Sequence, residues 1–115
     1  MHELSIAENI IEIVEQSARE AKALKINRIV LDIGRLSGIE MDALKFAMTS
    51  MLKGSLAEGA MVEYRDIEGK AHCTACGKDS SVSDFFSLCP HCNGYQLDIV
   101  QGKEMKVSSI EVESE

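Results

Sequence analysis

The sequence predicts an α+β fold: two helices packed on a small mixed β-sheet, with an inserted zinc-ribbon-like lobe. Three observations point to it. Two stretches repeat apolar residues at three- and four-residue steps, as amphipathic helices do, and several short runs alternate apolar with polar residues, as half-buried strands do. Two C-x-x-C pairs stand twelve residues apart in a region with few large apolar side chains. The order is helix, strand, helix, strand, insert, then two strands, which suits helices on one face of a small sheet. Residues 1–69 plus 95–115 should form the α+β domain, and residues 70–94 the inserted metal-stapled lobe.

Each element has its own signal. Ser5-Ile6-Ala7-Glu8 has the form of a capping box and predicts a helix from about Ile6. Ile6, Ile10, Ile13, Val14, Ala18 and Ala21 form its apolar stripe, which should end near Lys22, with Glu8, Glu12, Glu15, Arg19 and Glu20 facing solvent. Residues 27–33 are β-branched, with Ile29, Leu31 and Ile33 on one face, and Gly34 closes that strand. Ser37-Gly38-Ile39-Glu40 offers a second capping box. Met41, Leu44, Phe46, Ala47, Met48, Met51 and Leu52 give that helix its apolar face before Gly54. The methionines read as core filler. Residues 60–67 alternate Ala60, Val62 and Tyr64 against Glu63, Arg65 and Asp66, predicting a second strand. Residues 96–100 and 104–112 read as two further strands joined by Gly102-Lys103, a two-residue turn with glycine first.

Composition narrows the function. The chain has 115 residues, enough for one core, with 45% apolar and 27% charged residues and no tryptophan. Its 19 acidic and 12 basic residues give a net charge of -7 without a basic cluster, so nucleic acid is not an expected partner. No apolar run reaches the roughly 18 residues that cross a bilayer, and the start lacks the basic segment and cleavage site of a secretory signal. No membrane partner and a cytoplasmic location are therefore expected. In that reducing compartment four cysteines serve metal or redox chemistry better than structural disulfides.

Cys73-Thr74-Ala75-Cys76-Gly77 and Cys89-Pro90-His91-Cys92-Asn93-Gly94 supply those cysteines. In each, two thiolates turn toward one ion, and Gly77 or Asn93-Gly94 tolerates the positive φ that the turn needs. Four thiolates in a tetrahedron suit Zn(II). A redox dithiol would expect βαβ surroundings that are missing here, and a rubredoxin-like iron site is the other alternative. Four protein ligands leave no open position, so such zinc is structural. Phe85 and Phe86 are available to pack beside it, while His72 and His91 adjoin the ligands as exposed neighbours.

The first residues, Met1-His2-Glu3, hold a second constellation. A free Met1 amine, the amide nitrogen of His2 and its ring nitrogen close fused five- and six-membered chelate rings around one ion, and Glu3 adds an amide nitrogen or carboxylate. The bulky second residue should keep Met1 in place. Binding through a deprotonated amide favours Ni(II) and Cu(II) over Zn(II). No dry cleft, general base or nucleophile accompanies these donors, so the pattern suits a carrier and not an enzyme. The alternative is a plain zinc-ribbon interaction module whose terminus merely starts a helix.

Met1-His2-Glu3 leading a helix, a strand ending Ile33-Gly34 followed by Leu36-Ser37-Gly38, two C-x-x-C pairs and a closing strand with a glutamate-rich end together resemble the HypA/HybF family of hydrogenase nickel-insertion proteins. The likeness runs along essentially the whole chain. It implies a metallochaperone that transports Ni(II) for assembly of [NiFe]-hydrogenase, working with a nickel-handling GTPase or ATPase and with the hydrogenase large-subunit precursor. It implies nickel on Met1, His2 and Glu3, and structural Zn(II) on Cys73, Cys76, Cys89 and Cys92. A carboxylate early in the second helix is linked to nickel in some members, which points to Glu40. Some relatives carry histidines just after their cysteine pairs, whereas His72 precedes Cys73 and His91 lies inside the second pair.

Overall fold

The computed structural model describes residues 3–85 and 87–114. Its elements are α1 (Glu3–Glu20), β1 (Lys25–Gly34), α2 (Met41–Leu52), β2 (Met61–Ile67), β3 (Lys70–Cys73), β4 (Asp79–Ser81), β5 (Leu97–Gln101) and β6 (Met105–Glu113). They make two three-stranded sheets, ordered β2-β1-β6 and β4-β3-β5. The expected α+β class with two helices and a small mixed sheet is what the chain adopts. β1 and β6 run antiparallel: Leu24 N–H donates to the Glu113 carbonyl at one end, and Gly34 N–H to that of Glu104 at the other. β1 and β2 run the same way, since Arg28 reaches Glu63 near both strand starts and Arg35 N–H reaches the Ile67 carbonyl near both ends.

The chain gathers into two compact units, one of residues 1–31, 39–65 and 106–115, the other of residues 32–38 and 66–105. In the first, α1 packs on α2. Ile6, Ala7, Ile10, Ile11, Val14 and Ala18 of α1 are buried with Leu44, Ala47 and Met48 of α2 and with Ile26, Ile29 and Leu31 of β1. The second unit has a smaller core of Leu36, Ala71 and Val82, flanked by Leu97 and Ile99. This unit reaches beyond residues 70–94 because β3 pairs with β5 as well as β4, from Cys73 opposite Leu97 to Lys70 opposite Gln101.

Several sequence expectations need correction. α1 does not begin at Ile6 behind a Ser5 cap: Glu3 is already helical and Ser5 lies exposed within the first turn. Nothing in Glu3-Leu4 opposes the helix, and an acidic Glu3 favours its positive N-terminal end. The buried stripe is turned by about one residue. Ile11 and Ala7 are inside, while Ile13 is 52% exposed and Ala21 is exposed. Isoleucines at both positions made two overlapping faces look equally apolar. The helix closes in a Schellman motif at Lys22 (φ 55°), with Ala23 N–H bonded to the Ala18 carbonyl and Lys22 N–H to that of Arg19.

Ser37 does not cap α2 either, since the helix begins only at Met41, three residues later than a Ser37 cap would start it. Glu40 is itself the N-cap, its carboxylate accepting the Ala43 N–H at 2.6 Å. Phe46, expected in the core, is 78% exposed, while Leu44, Ala47 and Met48 turn inward.

The expected hairpin of the last two strands is absent as well. β5 joins β3, and β6 joins β1. Gly102 does not serve a tight turn there. Its φ is 110°, its carbonyl accepts the Leu36 N–H at 2.7 Å, and it presses on two other glycines. A Cβ on Gly34 would lie 1.9 Å from the Gly102 oxygen, and one on Gly102 would lie 2.6 Å from the Gly69 Cα. Three chain segments cross there with backbone touching backbone, which only glycine permits.

Candidate metal centres

The first cysteine pair lies at the end of β3 and in the turn that leads to β4, and the second lies in the loop before β5. The two loops repeat one hydrogen-bond pattern. Cys73 N–H donates to the Lys78 carbonyl at 2.9 Å and its own carbonyl accepts the Gly77 N–H at 2.8 Å. Cys89 N–H donates to the Gly94 carbonyl at 2.7 Å and its carbonyl accepts the Asn93 N–H at 2.8 Å. Gly77 (φ 76°) and Asn93 (φ 60°) take the left-handed conformation at matching positions, as the C-x-x-C-G and C-x-x-C-N spacing leads one to expect.

These loops bring the four sulfurs together. All lie within 4.8 Å of one another, Cys73 Sγ is 3.7 Å from Cys92 Sγ, and Cys76 Sγ is 3.7 Å from Cys89 Sγ. A tetrahedron of Zn–S bonds about 2.3 Å long has edges of about 3.8 Å, so the donor set fits zinc closely. None of the four is in a disulfide. Cys73 and Cys89 are buried, while Cys92 is exposed.

Without an ion, four close thiols share protons unequally. Burial opposes ionisation of Cys89, but the amides of His91 and Cys92 and the thiols of Cys76 and Cys92 donate to it and bring it down to about 7. The Gly94 amide favours the Cys92 thiolate, yet its hydrogen bond to Cys73, burial and the thiols of Cys89 and Cys76 push it up to about 11. Cys76 is also raised, because burial and its bonds to Cys73 and Cys89 outweigh the donor amide of Lys78. One thiolate and its donors thus form the starting point for metal binding.

The flanking residues sort themselves. His91 is exposed. His72 sits opposite Asp79 across β3 and β4, and its Nδ1 is 2.6 Å from the Asp79 carboxylate. Asp79 carried no sequence signal, since only the strand register brings it to His72. Phe85 is 57% exposed and lines an open cavity of about 330 Å³ with Tyr95, Leu97 and Ile99, so it does not seal the thiol cluster. Phe86 lies outside the described residues.

Met1 and His2 also lie outside the described residues. Glu3 does not: at the first turn of α1 its Oε2 accepts the Glu40 N–H at 3.5 Å, while the Glu40 carboxylate caps α2. Two residues thirty-seven positions apart, each singled out in the sequence, therefore meet where α1 and α2 begin. Among the described residues, no helix is long and apolar enough to cross a membrane.

Comparison with known proteins bears on both centres. The family model described as "Hydrogenase/urease nickel incorporation, metallochaperone, hypA" matches residues 1–112. The hydrogenase maturation factor HypA of Rhodobacter capsulatus is 44% identical over 112 residues, covering 97% of this chain and 99% of that protein. That of Parabacteroides distasonis is 43% identical over 115 residues, covering 100% of both. The solution structure of the Ni metallochaperone HypA from Helicobacter pylori superposes with a TM-score of 0.73 at 27% identity, covering 100% of both chains.

Proposed function

This chain belongs to the HypA family of hydrogenase/urease nickel-incorporation metallochaperones, and we propose on that premise that it carries Ni(II) as cargo on its first residues and delivers it to a [NiFe]-hydrogenase under assembly. The observation that carries this reading is the meeting of Glu3 with Glu40. It holds the first turn of α1 against the start of α2, so that the Glu3 carboxylate, next in sequence to His2, lies beside Glu40. The Met1 amine, the His2 amide and ring nitrogens, and Glu3 form the ligand set, with Glu40 as a further candidate. Nitrogen donors of this kind suit Ni(II), and selection against Cu(II) falls to partner docking and metal supply.

Zinc takes the other centre. Cys73, Cys76, Cys89 and Cys92 hold it with no position left for water or substrate, and zinc there supplies cross-linking and no chemistry. The division of labour is then nickel on the first unit, within the expected domain of residues 1–69 plus 95–115, and zinc on the second, around the expected lobe of residues 70–94. The protein works in the cytoplasm, as a carrier and not an enzyme, handing metal between a nickel-handling GTPase or ATPase and the hydrogenase large-subunit precursor.

The test is a calorimetric titration with Ni(II). The parent should bind one exchangeable nickel besides its zinc, and His2→Ala should lose it while keeping zinc. Equal nickel binding by parent and variant overturns the reading. Acetylation of the amine should have the same effect as His2→Ala on hydrogenase maturation, whereas unimpaired maturation by the blocked protein would favour a plain zinc-ribbon interaction module.

A further inference from the structure

The two cysteine loops share one geometry but differ in one dipeptide. Where the first has Gly77-Lys78 the second has Asn93-Gly94, since Cys73 bonds to Gly77 and Lys78 as Cys89 does to Asn93 and Gly94. The left-handed position asks only for a residue that tolerates a positive φ, and glycine does so better than asparagine. The second loop thus sets a side-chain amide directly before a glycine, the neighbour that least obstructs attack on it. Of the three asparagines, Asn9 precedes Ile10 inside α1 and Asn27 precedes Arg28 inside β1, so only Asn93 has this arrangement.

We propose that Asn93 is a modification site gated by the metal of its own lobe: when the lobe is empty, the Gly94 nitrogen closes on the Asn93 side chain and converts it to aspartate and isoaspartate. The only co-reactant is water. The Gly94 nitrogen gives up its proton and bonds the side-chain carbonyl carbon. The bond from that carbon to the side-chain nitrogen breaks, and the departing NH2 takes up the proton and leaves as ammonia. A five-membered cyclic imide remains. Water adds to either imide carbonyl, and cleavage of that carbon–nitrogen bond leaves aspartate, or isoaspartate with the main chain rerouted through the side-chain carbonyl. The sum is amide plus water to carboxylic acid plus ammonia.

The closed loop holds this reaction off. Asn93 has φ 60°, which the left-handed region pairs with a ψ of about +50°. That sets the Gly94 nitrogen nearly opposite the Asn93 Cβ about the Cα–C bond, whereas ring closure needs the two eclipsed. Half a turn of that bond must come first. Asn93 N–H donates to the Cys89 carbonyl at 2.8 Å and the Gly94 carbonyl accepts the Cys89 N–H at 2.7 Å, so the half turn undoes the loop. The attacking N–H is itself engaged, donating to the Cys92 sulfur. Zinc on Cys89 and Cys92 clamps both ends of this loop, a step that rests on the zinc assignment above. Asn93 is exposed, so water reaches the imide once the clamp is gone. Isoaspartate lengthens the main chain inside the bonded loop, and aspartate adds a negative charge beside the thiolates. Both products weaken zinc, so a lobe left empty loses its capacity to refill.

Zinc-loaded and chelator-stripped protein, both kept under reductant in warm neutral buffer, test the proposal. The stripped sample should gain about one mass unit at the peptide holding Asn93, at least about tenfold faster than the loaded one. N93G, which copies the first loop, should keep zinc and gain no mass there, and aged parent should rebind zinc at least about tenfold more weakly than fresh parent. Equal mass gain in loaded and stripped samples, a gain confined to other peptides, or aged protein that rebinds zinc as fresh protein does would each overturn it. Native mass spectrometry of the same samples reads the metal. A parent that takes up no zinc overturns the zinc assignment and the gate with it, whereas a parent that takes zinc and deamidates at one rate with or without it overturns the gate alone.

Discussion

Glu40 does two things that chemistry can separate. Its carboxylate caps α2 by accepting the Ala43 N–H, and its own N–H donates to the Glu3 carboxylate. Glu40→Ala should cost about 1 kcal/mol of stability through the lost cap, read as a lower denaturant midpoint. Glu40→Ser retains a capping oxygen and should recover most of that loss. If Glu40 is also a nickel ligand, the serine variant will stay stable yet bind nickel more weakly than the parent in calorimetry. Wild-type nickel binding by Glu40→Ser confines Glu40 to capping. The sequence pointed to this residue but misassigned its cap, since Ser37 and Glu40 fit a box spacing and only the start of the helix at Met41 shows that Glu40 is the cap.

Among the elements, the crossing of Gly34, Gly69 and Gly102 sets the path of both sheets through the second unit. Gly102→Ala meets both a φ of 110° and a Cβ 2.6 Å from backbone, so it should destabilise by about 2 kcal/mol or more, seen as a large drop in melting temperature with zinc still bound. A melting temperature equal to the parent's would show that the segments part at no cost. This crossing explains what pattern could reveal and what it could not. Helix periods, strand alternation and the C-x-x-C spacing are local, and they placed α1, β1, α2, β2 and the thiol cluster. Which strand β5 pairs with is decided by where Leu36, Gly69 and Gly102 touch, and no local pattern carries that. Likewise Ile11 and Ile13 are equally apolar as letters, and only tertiary packing decides that Ile11 goes in and Ile13 stays out.

At the scale of the molecule, the proposed binding of zinc by the four thiols is coupled to protons. Cys92, held at about 11 without metal, must give up a proton to bind zinc at neutral pH, while Cys89, at about 7, is largely ionised above neutrality and protonated below it. Between about pH 8 and pH 6, uptake should therefore release about one additional proton per zinc, and apparent affinity should fall as pH falls. Zinc titrations in buffers of different ionisation enthalpy measure this directly. A proton release that does not change over that range would contradict the assignment of Cys89.

The pairing of β1 with β6 also dictates an order of events. Leu24 bonds to Glu113, so the three-stranded sheet of β2, β1 and β6 closes only when the last strand reaches back to residues 24–34, the slow kind of step in which loop entropy precedes any gain. The β3–β4 hairpin joins residues a few positions apart, and its thiols need only wait for the second pair. During synthesis the cysteine lobe can therefore be complete while β1 is paired with β2 alone and still lacks β6. Pulse-labelled exchange during refolding with zinc should show β3 and β4 amides protected ahead of those in β1; simultaneous protection would mean that the chain folds as one cooperative step.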